Sequence, residues 1–240
     1  DAGFGHRSAA LSVSKALEVL YPNQVEILVT NPIQETDTPT VMKPIEKGYD
    51  RSVRFSPGLY RLSYEVSDSR MISEVVEGAL TLMLKKIIAN AIWDFRPDVI
   101  LNTNEMFNTP IGKALHDVSV KVPAFTVVTD LADVHALWFP PEPDRFYIAN
   151  EWVKVKALES GVADEKIIIS GIPVSPDFAL NQVEKQALRG SLGLDPQRLT
   201  VLFVGSNRVS NLQDYLQTLE YFPTPVQAVV IAGGNDELYK

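Results

Sequence analysis

The sequence contains no cysteine. That excludes disulfides, thiol nucleophiles and cysteine-ligated zinc, and it fits a reducing compartment. Positive charge is also short: 22 Lys and Arg stand against 30 Asp and Glu, a formal net charge of -8. Neutralising phosphate needs clustered cations, so this balance argues against general nucleic-acid binding. No apolar run is long enough to span a bilayer; the best, 79–93, is short and broken by Lys85-Lys86. Histidine is scarce, with only His6, His116 and His135. No short-period repeat and no low-complexity run is present. The 240 residues, 45% of them hydrophobic, suit one large globular domain or two smaller ones.

The pattern alternates helix and strand. Residues 8–20 read as a helix with Ala9, Leu11, Val13, Ala16, Leu17 and Leu20 on its apolar face. The β-branched run 25–29 reads as a strand. A long helix is predicted over 71–95, with Val75, Val76, Ala79, Leu82, Met83, Ile87, Ile88 and Ala91 inward and Arg96-Pro97 as its stop. Strands are predicted at 98–101, 122–128, 145–148 and 167–169, with helices at 109–118 and 151–160, the latter closed by Gly161. Such alternation implies an α/β fold, a parallel sheet with helices on both sides. Ligands of such sheets bind beyond the C-terminal strand ends, where the loops 1–6, 102–108, 129–138 and 171–178 are expected to converge.

A second unit begins near Asn181: a charged helix (183–191), a strand (199–204), a helix (211–221) and a strand (226–232). The expected division is 1–180 and 181–240, the second lobe incomplete. The opening turn is of a kind that follows a buried strand, and none precedes Asp1. The chain is therefore expected to be a piece of a longer protein, with little activity by itself.

The opening turn, Asp1-Ala2-Gly3-Phe4-Gly5-His6-Arg7, puts a histidine and bare N–H groups at a helix N-terminus, a place suited to a polar or anionic ligand. The helix dipole disfavours an imidazolium there, so His6 suits a general base acting on a hydroxyl, or else caps the helix. The loop 129–139 carries Asp130, Asp133, His135 and Trp138 beyond a buried strand. Asp130 can orient a histidine or help accept a proton. Asp130, Asp133 and His135 are also suitable metal ligands, but their near-contiguity argues against a metal site. Trp138 either stacks on a sugar or acyl chain or anchors its loop. Gly205-Ser206-Asn207 and Gly233-Gly234-Asn235 follow strands and can cradle phosphate. Residues 49–70 interleave Arg51, Arg54, Arg61 and Arg70 with Phe55, Tyr60 and Tyr64, a mixture suited to an anionic membrane interface or to an ordinary surface helix with packed aromatics.

Together these blocks resemble the monogalactosyldiacylglycerol synthases and the related bacterial diacylglycerol glucosyltransferases. The turn 1–10 is similar to the family's Asp-x-Gly-Gly-Gly-His-Arg-x-(Ser/Ala)-Ala, and 127–139 to its Val-x-Thr-Asp-Leu-x-x-x-His-x-x-Trp-Phe. Tyr147, Asn150-Glu151-Trp152-Val153 and Gly171-Ile172-Pro173-Val174 with Pro176 and Phe178 resemble the following segments. The resemblance covers most of 1–180. It implies a GT-B architecture of two Rossmann-like lobes and inverting transfer of a hexose from a UDP-sugar to diacylglycerol. UDP-hexose would be a substrate, and no cofactor or metal is implied. His6 and Asp130 would be catalytic. Gly3, Gly5, His135 and Trp138 would serve the acceptor, and Gly171, Pro173, Gly205, Ser206, Asn207, Gly233 and Asn235 the donor. Arg54, Phe55, Tyr60 and Arg61 would touch the membrane, with the protein peripheral on its cytoplasmic face.

The chain departs from the family pattern at four places. Phe4 replaces a glycine, Asn104-Glu105 replaces a His-Pro pair of plant members, Ser175 replaces a frequent arginine, and Gly205-Ser206-Asn207 replaces a triple glycine. The last can hinder close approach of backbone to pyrophosphate. Three other readings remain: a GT-B enzyme for another lipid-linked acceptor, as in the peptidoglycan N-acetylglucosamine transferases; a non-catalytic lipid-binding relative; and a GT-B sugar-nucleotide epimerase.

Overall fold

A computed structural model describes residues 5–33, 70–205, 211–235 and 239, with backbone alone at 70–77, 79 and 80. The strands form two sheets, both parallel, so the fold class is α/β as the alternation implied. The first has four strands in chain order: β1 (Ile100–Asn102), β2 (Ala124–Val127), β3 (Arg145–Ile148) and β4 (Ile167–Ile169). The second pairs β5 (Leu199–Val204) with β6 (Val226–Ile231).

Helix α1 (Gly5–Leu20) begins three residues earlier than its apolar pattern does. Its buried positions are Ala9 and Ser12, whereas Leu11 and Leu20 are exposed. Small residues therefore let α1 approach its neighbours closely, and the leucine stripe read from the sequence is displaced. Helix α2 (Arg70–Phe95) ends where Arg96 takes a positive φ of 53° ahead of Pro97. Its buried stripe is Leu84, Ile88 and Ile92, spaced four apart, while Leu82 is 79% exposed. The expected inward Leu82 is thus corrected by a rotation of the buried face.

Helix α3 (Asn108–Asp117) links β1 to β2, and α4 (Glu151–Glu159) links β3 to β4. The crossover from β2 to β3 has no α-helix; it is an extended loop with one 3-10 turn over Ala136–Trp138. The register places Thr126 beside Phe146, so Ala124, Thr126, Phe146 and Ile148 share one face of the sheet. Both apolar clusters draw on that face. One joins Leu84, Ile88, Phe107, Ile111 and Ala124; the other joins Trp138, Phe139, Phe146, Ile148 and Val153. Strand order that advances in one direction puts right-handed crossovers on one side, which explains the shared face.

Residues 25–29 form no strand, contrary to their composition. Val25, Leu28 and Val29 are exposed, and no described strand pairs with them. β-propensity reflects packing on neighbouring strands, and the described residues supply none here. Beyond β4 come a short turn α5 (Asp177–Leu180), α6 (Lys185–Ser191), and α7 (Leu212–Thr218) between β5 and β6.

Candidate active site

The loops that follow β1 and β2 meet at His6, in the first turn of α1. The imidazole Nδ1 lies 2.8 Å from the backbone carbonyl of Thr103, just beyond β1. A carbonyl only accepts, so Nδ1 carries the proton and Nε2 is left with its lone pair. Thr129 Oγ1, from the β2–β3 loop, lies 3.0 Å from the same Nδ1. The Thr103 hydroxyl donates back to the His6 carbonyl at 2.9 Å. The side chain of His6 is about one-fifth exposed, so its ring is held and still reachable.

Nε2 has a carboxylate neighbour that the motifs did not assign. Glu105 Oε2 lies 3.7 Å from it. That oxygen is buried and has no hydrogen-bond partner among the described residues. Burial pushes the Glu105 carboxyl above the usual carboxylate range; nearby His6 opposes this rise and the charge of Asp130 adds to it. The signal in the sequence was the polar run Asn102-Thr103-Asn104-Glu105 directly after a buried strand.

Asp130 is placed differently from its expected role. Its Oδ2 accepts the indole Nε1–H of Trp138 at 2.8 Å. It orients the tryptophan, and the carboxylate at the basic nitrogen of His6 is Glu105. Trp138 itself has 0% exposure. Its ring centroid is 5.9 Å from that of His6, tilted by 45°. The indole is therefore a buried floor beside the imidazole, and it offers no open face for stacking. His135 is also buried, and its Nδ1 accepts the N–H of Leu137 at 3.2 Å, starting the 3-10 turn. Acceptor contact through the faces of Trp138 and His135 is not what this geometry provides.

A buried amide network fixes these loops to one another. Asn108 Oδ1 accepts from Asn102 Nδ2 and from the Thr126 hydroxyl, both at 2.6 Å. Asn108 Nδ2 donates to the carbonyls of Leu137 at 3.3 Å and Trp138 at 3.2 Å. Asn104 caps the 3-10 turn carrying Glu105 by accepting from Met106 N. Asn102, Asn108 and Thr126 thus tie β1, α3, β2 and the tryptophan loop into one unit. No catalytic motif flagged them.

The fourth loop reaches α1 farther along. Asp177 forms an ion pair with Lys15 and accepts from the Ser175 hydroxyl at 3.1 Å. Lys15 is about 13 Å along the helix from His6, so this loop flanks the site. Gly171 there has a φ of 79°, a conformation in which glycine is favoured; Pro173 is half-buried. In the second sheet the Gly205 N–H donates to Ile231 at 2.8 Å, so that amide is committed to the sheet and cannot also bind phosphate. Gly233 and Gly234 have φ of 58° and 78°, and Asn235 N–H closes their turn on Ala232. Gly3, Ser206, Asn207, Arg54, Phe55, Tyr60 and Arg61 lie outside the described residues. Gly5 opens α1, and a Cβ there would meet nothing within 4 Å.

Known proteins are similar to this chain over most of its length. The profile of the monogalactosyldiacylglycerol (MGDG) synthase family matches residues 6–174. The chain is 27% identical over 210 residues to the chloroplastic monogalactosyldiacylglycerol synthase of Spinacia oleracea, covering 85% of the chain and 39% of the relative. Against Arabidopsis thaliana synthases 1 and 2 it is 24% identical over 248 residues, covering 99% of the chain and 46% and 53% of those proteins. The chain thus spans about half the length, or less, of these relatives. The match spans more than half of the chain, and the chain belongs to the monogalactosyldiacylglycerol synthase family.

Proposed function

We propose that the full-length protein transfers a hexose from a UDP-sugar to the hydroxyl of diacylglycerol at a membrane surface, with inversion. Family membership and the names of the relatives favour galactose. The observation that carries the reading is the tautomer of His6. With Nδ1–H held by the Thr103 carbonyl, Nε2 is free to accept a proton from an alcohol.

In a single displacement the acceptor O–H proton passes to Nε2. The oxygen forms the bond to the anomeric carbon, and the bond to the diphosphate breaks with its electron pair on the departing nucleotide. UDP-hexose is consumed as a substrate, and the reading needs no further cofactor. The residues 1–180 would form the acceptor lobe and 181–240 part of the donor lobe of a GT-B arrangement. The separation of the two sheets supports that division. Gly171, Pro173, Gly233 and Asn235 remain donor-side candidates with Ser206 and Asn207. Gly205 would contribute there only as a small residue beside the ligand.

Membrane contact is assigned to Arg54, Phe55, Tyr60 and Arg61 on the strength of the basic-aromatic pattern. Among the described residues no helix is long and apolar enough to cross a membrane. Peripheral docking is therefore the proposed mode, on the membrane face where UDP-hexose is supplied.

The test is transfer of radiolabelled sugar from UDP-galactose to diacylglycerol in anionic vesicles by the full-length protein. His6→Ala should lower turnover about 10²–10⁴-fold, the usual contribution of a general base. Near-normal turnover in that variant would overturn the assignment. Transfer from UDP-glucose in place of UDP-galactose would keep the mechanism and correct the sugar.

A further inference from the structure

We propose that Glu105 is the charge-stabilising carboxylate beside His6: it faces the basic nitrogen of the imidazole and stabilises the imidazolium that forms when this nitrogen takes a proton. The proposal rests on the hexosyl-transfer reading above and names a residue that reading did not need.

Geometry carries it. Glu105 Oε2 sits 3.7 Å from His6 Nε2, on the side of the ring opposite the Thr103 carbonyl contact to Nδ1. Opposite nitrogens of one ring are thus addressed by a fixed acceptor and by an acid. The same oxygen is buried without a hydrogen-bond partner among the described residues. An unsatisfied buried carboxylate oxygen is costly, and a cationic imidazolium beside it would offset that cost. The other carboxylate of the site is committed elsewhere, since Asp130 holds the Trp138 indole. Asn104 caps the turn on which Glu105 stands, and Asn102 holds Asn104 in turn by donating to its carbonyl at 2.7 Å. The carboxylate is therefore delivered by a rigid turn.

Charge balance follows simply. The step requires a neutral His6 and an ionised Glu105 at its start. The acceptor proton passes to Nε2, making a cation beside an anion in a partly water-excluded site, where such a pair is stronger than in water. Glu105 forms and breaks no bond to substrate. The titratable groups facing this point among the described residues are His6 from α1, Glu105 from the β1–α3 turn and Asp130 from the β2–β3 loop. Arg7 follows His6 on α1.

The experiment has two arms. The first needs no substrate: the Glu105 carboxyl is followed by carbon NMR through a pH titration, assigned by its loss in Glu105→Gln. His6→Ala should move the Glu105 titration to higher pH, and Asp130→Asn should move it lower, because those two charges act on it in opposite directions. Superimposable curves in wild type and His6→Ala would overturn the pairing.

The second arm measures galactosyl transfer by the full-length protein. Glu105→Gln should lower kcat about 10–100-fold and leave the KM for diacylglycerol within about twofold, since the lost interaction belongs to the transition state. The acid limb of the pH profile should move to lower pH, and Glu105→Asp should restore part of kcat. An unaltered kcat and profile would reject the role. If wild type transfers hexose from neither UDP-galactose nor UDP-glucose, the reaction reading fails, and the first arm still decides the His6–Glu105 pairing.

Discussion

The two parallel sheets of this chain are held in different ways. Around the four-stranded sheet, Trp138, Phe146, Leu84, Ile148, Val128 and Val153 are fully buried. Around the β5–β6 pair, Leu212 is the large apolar residue that is buried, while Leu199, Leu202, Val204 and Ile231 are 50–64% exposed. Parallel strands this apolar are ordinarily covered on both faces. A buried setting lets polar groups such as Asn108 and Glu105 hold fixed geometry, because their partners cannot be exchanged for water. The exposed pair offers no such setting among the described residues. The site that is assembled is the one around His6.

The largest expected effect breaks the better-packed region at its amide hub. Asn108→Ala strips the partner from Asn102, Thr126 and the carbonyls of Leu137 and Trp138. With about 1–3 kcal/mol for each buried group left unsatisfied, urea melts should show a loss of about 3 kcal/mol or more. Leu202→Ala in the exposed pair should cost under about 1 kcal/mol. Comparable losses would mean that the two sheets are equally consolidated.

A second contrast concerns Trp138. Its indole is both core and support, packed with Val128, Val134 and Phe139 and bonded to Asp130. Trp138→Phe keeps most of the apolar contact and removes the N–H, leaving Asp130 without it. A loss of about 1–2 kcal/mol is expected, read by urea melts. Turnover should fall more than KM changes, because His6 loses part of the surface beside it. A large rise in the KM for diacylglycerol with kcat unchanged would instead favour direct acceptor contact by Trp138.

What the sequence conveyed depended on range. Strand and helix order was legible because periodicity is local: β3, β4 and β5 fall where the apolar runs put them. The strand at 25–29 was not, since pairing is a non-local property. His6 and Trp138 were legible as motif residues, and their rings do lie together. Their division of labour was not. Whether Asp130 bonds a histidine or an indole depends on the fold of the β2–β3 loop, and no spacing encodes that. Glu105 was visible only as a departure and as the end of a polar run after a strand, because a single carboxylate carries no periodic signal. The asparagine network was invisible for the same reason: its donors and acceptors come from positions 102, 108, 126 and 137–138.

The smallest effects come from two carboxylates whose settings should give pH dependences of opposite sign. Asp117, exposed at the end of α3, is bonded to Lys85 of α2 at 2.8 Å, and that contact holds its carboxyl below the usual range. A depressed carboxyl stabilises the fold above its unfolded-state value, and the contribution fades as pH falls through the folded value. Asp117→Asn should therefore lower the Tm slightly at neutral pH and not at all in strong acid, and salt should shrink the difference. Glu105 is raised by burial, so the sign reverses. Above its folded value the native state must hold a charge that the unfolded chain carries in water, and this opposes folding. Glu105→Gln should raise the Tm at neutral pH, and the gain should vanish as pH falls through the folded value. Paired melts across pH check both. A fall in Tm for Glu105→Gln at neutral pH would show that Glu105 holds the fold together, and would weaken the case that its strain is kept for His6.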